Sequence, residues 1–132
     1  AVIGCGYVGL VTGACFAEMG NRVTCVDSDT HRIAQLRMGL LPFFEPGLGA
    51  LVHHNAHRQR LLFAVDAAEA IAGAELVFIA VGTPPMAHGG ADTRQVIEAA
   101  ATIGRHMAAG CIVVNKSTAP VGTAEQIRAV LD

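Results

Sequence analysis

Apolar residues fall along this chain in two alternating patterns. Nearly continuous apolar runs occupy residues 1–3, most of 22–27 (RVTCVD), 61–65, 76–81 (LVFIAV) and 111–115 (CIVVN). Short runs of this kind, bounded by turn residues, read as strands. Between them apolar positions recur three or four apart, as on one face of a helix. That spacing predicts helices over 8–19, closed by Gly20, over 29–37, from Asp66 towards Gly73, after Asp92 as far as Gly110, and from Thr123 onward. Asp66-x-x-Glu69, Asp92-x-x-Gln95 and Thr123-x-x-Gln126 each have the form of a capping box opening a helix. In the helix after Asp92, Val96, Ala100, Ile103 and Met107 share a face, with Arg94, Glu98 and Arg105 elsewhere. The unbroken apolar run 76–81 suits a central parallel strand covered on both faces. Residues 39–49 (GLLPFFEPGLG) read as irregular, with Pro46 expected in the first turn of a short helix. Strand and helix alternate about five times, which predicts the α/β class with a parallel sheet doubly wound by helices on both faces.

The first strand runs into Gly4-x-Gly6-x-x-Gly9, which opens the first helix, and Asp27 ends the next strand 18 residues after Gly9. Glycines in that strand–helix setting, with an acid about 20 residues on, form the dinucleotide-binding fingerprint of a Rossmann-type domain. Gly4 permits the tight turn, Gly6 lets the backbone approach a pyrophosphate, and Gly9 lets helix and sheet pack closely. The N–H groups and positive dipole end of the helix then face the phosphates. Asp27 would accept hydrogen bonds from the adenosine ribose hydroxyls and repel a 2′-phosphate, so NAD is expected over NADP. The alternative is a glycine-bearing strand–helix turn with Asp27 as a capping acid. Further along, VGTPP (81–85) and KSTAPVGT (116–123) follow apolar strands at the carboxyl ends where α/β sheets bind ligands. Thr83, Ser117 and Thr118 are thereby placed to meet the nicotinamide half, with ordinary turn and capping chemistry as their alternative role.

Composition narrows the function classes. A chain of 132 residues with 52% hydrophobic and 15% charged residues is long enough for one core and short for two domains. No apolar run is long enough to span a bilayer, and no targeting segment is visible, so no membrane partner is expected. The net charge of −2, with scattered Lys and Arg, leaves no footprint for nucleic acid. Cys5, Cys15, Cys25 and Cys111 form no CxxC pair, which points to free thiols in a reducing, cytoplasmic compartment. His53 and His57 stand four apart, but no cysteine or carboxylate is spaced to complete a metal site, so none is expected. Glu45, a candidate substrate contact, is well explained as a cap just before a helix start. Lys116, a general base only if its pKa were lowered, reads as a solvated charge at a strand end and is left unassigned.

The segments GCGYVGLVTG, VTCVDSD, FFEPGL, VGTPP with ADTRQV, and NKSTAPVGT occur in this order across the whole chain. In them the chain resembles the N-terminal domain of the UDP-glucose 6-dehydrogenase family, within the UDP-glucose/GDP-mannose dehydrogenases. The one departure noted, Ala119 where the family usually has Val, is small. The resemblance implies that Gly4, Cys5, Gly6, Tyr7, Val8 and Gly9 lie along the NAD pyrophosphate and that Asp27 holds the ribose. It further implies that Arg32 stands near the adenosine and that Val81, Gly82, Thr83 and Pro84 line the cofactor. Ser117 and Thr118 would sit beside the nicotinamide, Thr118 near the reacting centre.

The same resemblance implies oxidation of UDP-glucose at C6 to the uronic acid, using two NAD⁺ and a covalent thioester, in a homo-oligomer when full length. The catalytic cysteine of that chemistry lies far downstream in the family and nothing here matches its segment. Residues 1–132 are therefore expected to be a truncated NAD-binding domain that stops inside a helix at Asp132, inactive alone, with no catalytic residue. Other nucleotide sugars, GDP-mannose or UDP-N-acetylmannosamine, and a non-catalytic NAD-binding module are the alternatives. A hydroxyacyl or phosphogluconate type of Rossmann dehydrogenase would share the glycines but not FFEPGL together with KSTAPVGT.

Overall fold

The structure, a computed structural model, describes residues 1–87 and 89–131, so the expected helical setting of Asp132 lies outside the described residues. Five strands form one all-parallel sheet: β1 (Val2–Ile3), β2 (Val23–Val26), β3 (Leu61–Ala64), β4 (Leu76–Ile79) and β5 (Ile112–Asn115). Their order is β3-β2-β1-β4-β5. The helices are α1 (Tyr7–Glu18), α2 (Thr30–Arg37), α3 (Leu48–His57), α4 (Ala67–Ala72), α5 (Arg94–His106) and α6 (Thr123–Leu131). The chain steps from β1 to β3 in one direction and then crosses back to β4 and β5 in the other. Right-handed crossovers place the helices of those two journeys on opposite faces. Two separate clusters result: Leu10, Ala14, Cys25, Leu61 and Val52 with α1 and α3 on one face, and Val77, Ile79, Val96, Ile103 and Ile127 with α5 and α6 on the other. The predicted doubly wound α/β sheet is the one found.

The first helix comes unusually close to the sheet because small residues line its inner side. Gly9, Gly13, Ala14 and Ala17 are buried. A Cβ added at Gly13 would lie 2.3 Å from the Cys25 Sγ, and one at Gly9 only 1.8 Å from the Gly4 carbonyl oxygen.

Several local expectations are corrected. The segment after Pro46 holds a ten-residue helix, α3, and Pro46 stands outside it, with Gly47 at the N-cap in a left-handed conformation (φ 81°). Helix α5 ends at His106, and Gly110, at φ 87°, belongs to the turn that follows. Of the three predicted capping boxes, Asp66 accepts from the Ala68 N–H at 2.8 Å. The N-cap of α5 is Thr93, without a side-chain cap, because Asp92 bonds the Arg94 N–H and guanidinium instead. Thr123 begins α6 with its hydroxyl donating to the Pro120 carbonyl at 2.8 Å, so it does not cap the helix. Strand β4 is covered fully on one face only: Val77 and Ile79 are wholly buried, while Leu76 is 43% exposed. The Phe78 ring on that open face stacks on Phe16 at 5.1 Å.

Candidate functional site

The carboxyl ends of the parallel strands meet where the order switches, between β1 and β4, and the residues named from sequence converge there. Gly4 has φ 104° and sits so close to β4 that a Cβ would meet the Ala80 carbonyl oxygen at 2.5 Å. Its N–H bonds the Val26 carbonyl at 2.7 Å, tying the turn to β2. Gly6 is the N-cap of α1, and a Cβ there would meet nothing within 4 Å. Gly4 and Gly9 thus serve packing, whereas Gly6 faces open space in front of a helix N-terminus whose first N–H groups lack intrahelical partners. Helix N-termini of this kind are where anions bind, and Gly6 leaves the approach to this one open.

Asp27 stands just beyond β2 as the hub of this turn. Its Oδ2 accepts from the Cys5 N–H at 2.8 Å and from Arg32 Nη1 at 2.9 Å, and its Oδ1 accepts from the Asp29 N–H at 3.0 Å. Asp29, and not Asp27, caps α2, accepting from the Arg32 N–H at 3.0 Å. The Asp27 hydrogen bond raises the pKa of the Arg32 guanidinium above its ordinary value. The Cys5 side chain is fully buried. Its thiol pKa is pushed up, first by a hydrogen bond with Cys25 and then by burial, so it is no thiolate nucleophile. All four cysteines are free.

Across the switch point, Val81, Gly82, Thr83 and Pro84 leave the end of β4. Ser117 holds the end of β5 against them, its hydroxyl donating to the Val81 carbonyl at 2.8 Å. The Ser117 and Lys116 N–H groups both reach the Ile79 carbonyl, at 3.2 and 2.8 Å. Thr118 is exposed, and Thr83 is half-buried. Beyond Pro84 the chain doubles back, with Pro85 bridged to Ala91 and the Asp92 N–H bonded to the Pro84 carbonyl at 2.9 Å.

Two contacts of this edge escaped the sequence reading. Glu45, expected to cap a helix, accepts the Tyr7 hydroxyl on Oε2 at 2.5 Å, and the Tyr7 ring packs on Phe43 with centroids 5.1 Å apart. The hydrogen bond to Glu45 is the largest cause raising the Tyr7 phenol pKa, so it remains a donor. This contact joins residues 38 apart, and no local pattern announces it. His53 and His57 are exposed on α3. Among the described residues no group of three or more His, Cys, Asp or Glu could hold a metal ion. Nor is any helix among them long and apolar enough to cross a membrane.

Sequence and fold both have close relatives. The UDP-glucose/GDP-mannose dehydrogenase family, NAD binding domain, matches residues 1–132. A UDP-glucose 6-dehydrogenase of Pseudomonas aeruginosa is 52% identical over 130 residues, covering 98% of this chain and 29% of that protein. The structure of a UDP-glucose dehydrogenase from the archaeon Pyrobaculum islandicum superposes with a TM-score of 0.89 at 40% identity, over 98% of this chain and 32% of that one. A ternary complex of GDP-mannose dehydrogenase from Pseudomonas aeruginosa gives 0.90 at 31% identity, over 98% and 30%. The chain thus spans under a third of the length of these relatives. It belongs to the UDP-glucose/GDP-mannose dehydrogenase family, whose NAD-binding domain it carries.

Proposed function

We propose that this chain is the cofactor-binding part of a cytoplasmic, NAD-dependent dehydrogenase that oxidises UDP-glucose at C6 to UDP-glucuronate. When bound, NAD supplies the hydride acceptor. The observation that carries the reading is the open face of Gly6 at the N-terminus of α1, flanked by the Asp27–Arg32 pair. Gly4 to Gly9 lie along the pyrophosphate, Asp27 receives the adenosine ribose, and Arg32 stands beside the adenosine. Val81, Gly82, Thr83 and Pro84 line the nicotinamide side, with Ser117 and Thr118 next to it. Binding and orientation are the contribution of these residues. The groups that hold the sugar, take the proton and form a thioester belong to the remaining length of the protein, which would act as a homo-oligomer. Identity of 52% to a UDP-glucose 6-dehydrogenase favours UDP-glucose over GDP-mannose.

NADH formation by the whole protein with UDP-glucose, GDP-mannose and UDP-N-acetylmannosamine tests the reading. Turnover is expected with UDP-glucose first, and none from residues 1–132 alone, because positioning of the alcohol supplies much of the rate. Steady turnover by the 132-residue chain, abolished by replacing one of its cysteines, would move the active site into this domain and overturn the assignment.

A further inference from the structure

We propose that Arg32 is a latent ligand for a nucleotide 2′-phosphate, held in reserve by its ion pair with Asp27, so that the pair decides cofactor choice and not the carboxylate alone. The inference rests on the NAD reading above. It begins from the hydrogen-bond inventory at Asp27. A carboxylate offers about four acceptor positions, and three donors already occupy Asp27: the Cys5 N–H, the Asp29 N–H and Arg32 Nη1. Oδ1 keeps room for a ribose hydroxyl, so a 2′-hydroxyl can bind with the ion pair intact.

The same inventory at Arg32 is much emptier. A guanidinium has five N–H donors in a planar fork. Nη1 is committed to Asp27, and Nη2 lies 3.9 Å from the Asp29 carboxylate, at the limit of an ion pair. The Arg32 side chain remains 36% exposed against 10% for Asp27, so the guanidinium is the more accessible partner of the pair. A phosphate ester brings roughly two negative charges and acceptor oxygens that match such a fork. With Asp27 ionised, the pair offers that phosphate no net positive charge. Remove the carboxylate and the guanidinium is left beside the ribose position with its donors unspent, the arrangement that accommodates a 2′-phosphate in NADP-binding domains.

The test is calorimetric titration of the whole protein with NAD and with NADP, for the wild type, Asp27→Ser, Arg32→Ala and the double variant. Asp27→Ser should bind NADP about tenfold or more tightly than the wild type, the scale of one charge-assisted contact. That gain should weaken with added salt and vanish in Asp27→Ser/Arg32→Ala. Asp27→Asn, which keeps an oxygen for the Cys5 N–H, repeats the measurement should the serine variant lose its fold by circular dichroism. An equal gain in the double variant would mean that relief of repulsion is the whole effect and would overturn the proposal, as would no gain in a folded Asp27 variant. A wild type that binds no NAD would instead remove the reading on which it rests.

Discussion

The two halves of the sheet bury opposite faces. On β2 and β3, Val23, Cys25, Leu61 and Phe63 lie under α1 and α3, while Leu62 on the reverse face is 43% exposed. On β4 and β5 the register-matched face, carrying Leu76, Phe78, Ile112 and Val114, is the open one, and Ile112 is 59% exposed. Val77 and Ile79, pointing the other way, are wholly buried under α5 and α6. Strand alternation alone would make the halves alike, so the reversal comes from the direction of the crossovers. The strand order switches at the seam between β1 and β4, and there the glycine turn, Asp27, Val81 and Ser117 gather.

The largest perturbation belongs to the first half. Gly9→Ala drives a Cβ to 1.8 Å from the Gly4 carbonyl and should cost about 3 kcal/mol or more, or prevent folding, as read by urea denaturation. A wild-type midpoint would show that α1 can stand off the turn. In the second half the two faces can be compared directly. Ile79→Ala should cost about 2–5 kcal/mol, whereas Ile112→Ala on the open face should stay within roughly 1 kcal/mol. Similar losses for the two would mean that something covers the Ile112 face. At the seam, Gly6→Val should leave the denaturation midpoint nearly unchanged yet weaken NAD binding by about a hundredfold, the scale of a lost charge-assisted contact. Wild-type affinity in a folded Gly6→Val would remove the cradle assignment.

The smallest effect concerns charge. Hydrogen bonds from the Arg94 guanidinium, then from its backbone N–H, lower the Asp92 pKa from 3.8 to about 2. A depressed acid stabilises the fold above its unfolded value and loses that contribution as pH falls through the folded one. Asp92 should therefore add a little stability above pH 3.8 that disappears towards about pH 2. Arg94→Ala should flatten that part of the curve without moving the neutral-pH midpoint by more than a small amount, because the Arg94 side chain is 85% exposed. An unchanged acid limb would show the pair to be inert.

The alternation of strands and helices was legible because each element carries its own period: five short apolar runs and the Val96, Ala100, Ile103 face need no tertiary help. Asp27 was legible for the same reason, standing at a set distance from the glycines. Helix α3 was not, since Gly47 starts it through a left-handed residue and not through a side-chain cap. Capping boxes were read from letters that also permit other bonds, and at Asp92 a neighbouring arginine outcompeted the helix. The open face of β4 could not be read from LVFIAV, because burial there depends on which helices the crossovers bring. Glu45 was invisible as a partner of Tyr7 because the pairing exists only once α1 and the loop before α3 are side by side.

Gly13 sits midway along α1, with the Cys25 sulfur where its Cβ would be. Twelve helical residues make a stiff rod about 18 Å long, and Gly6 caps the end of that rod. The thickness of the layer between helix and sheet therefore sets the height of the Gly6 turn above the strand ends. One methyl group added at Gly13, about two turns from Gly6, would press the rod off the sheet and displace its tip. The thinness of the core beneath α1 thus acts as a mechanical gauge that passes dimensional error in the packing on to the glycine turn.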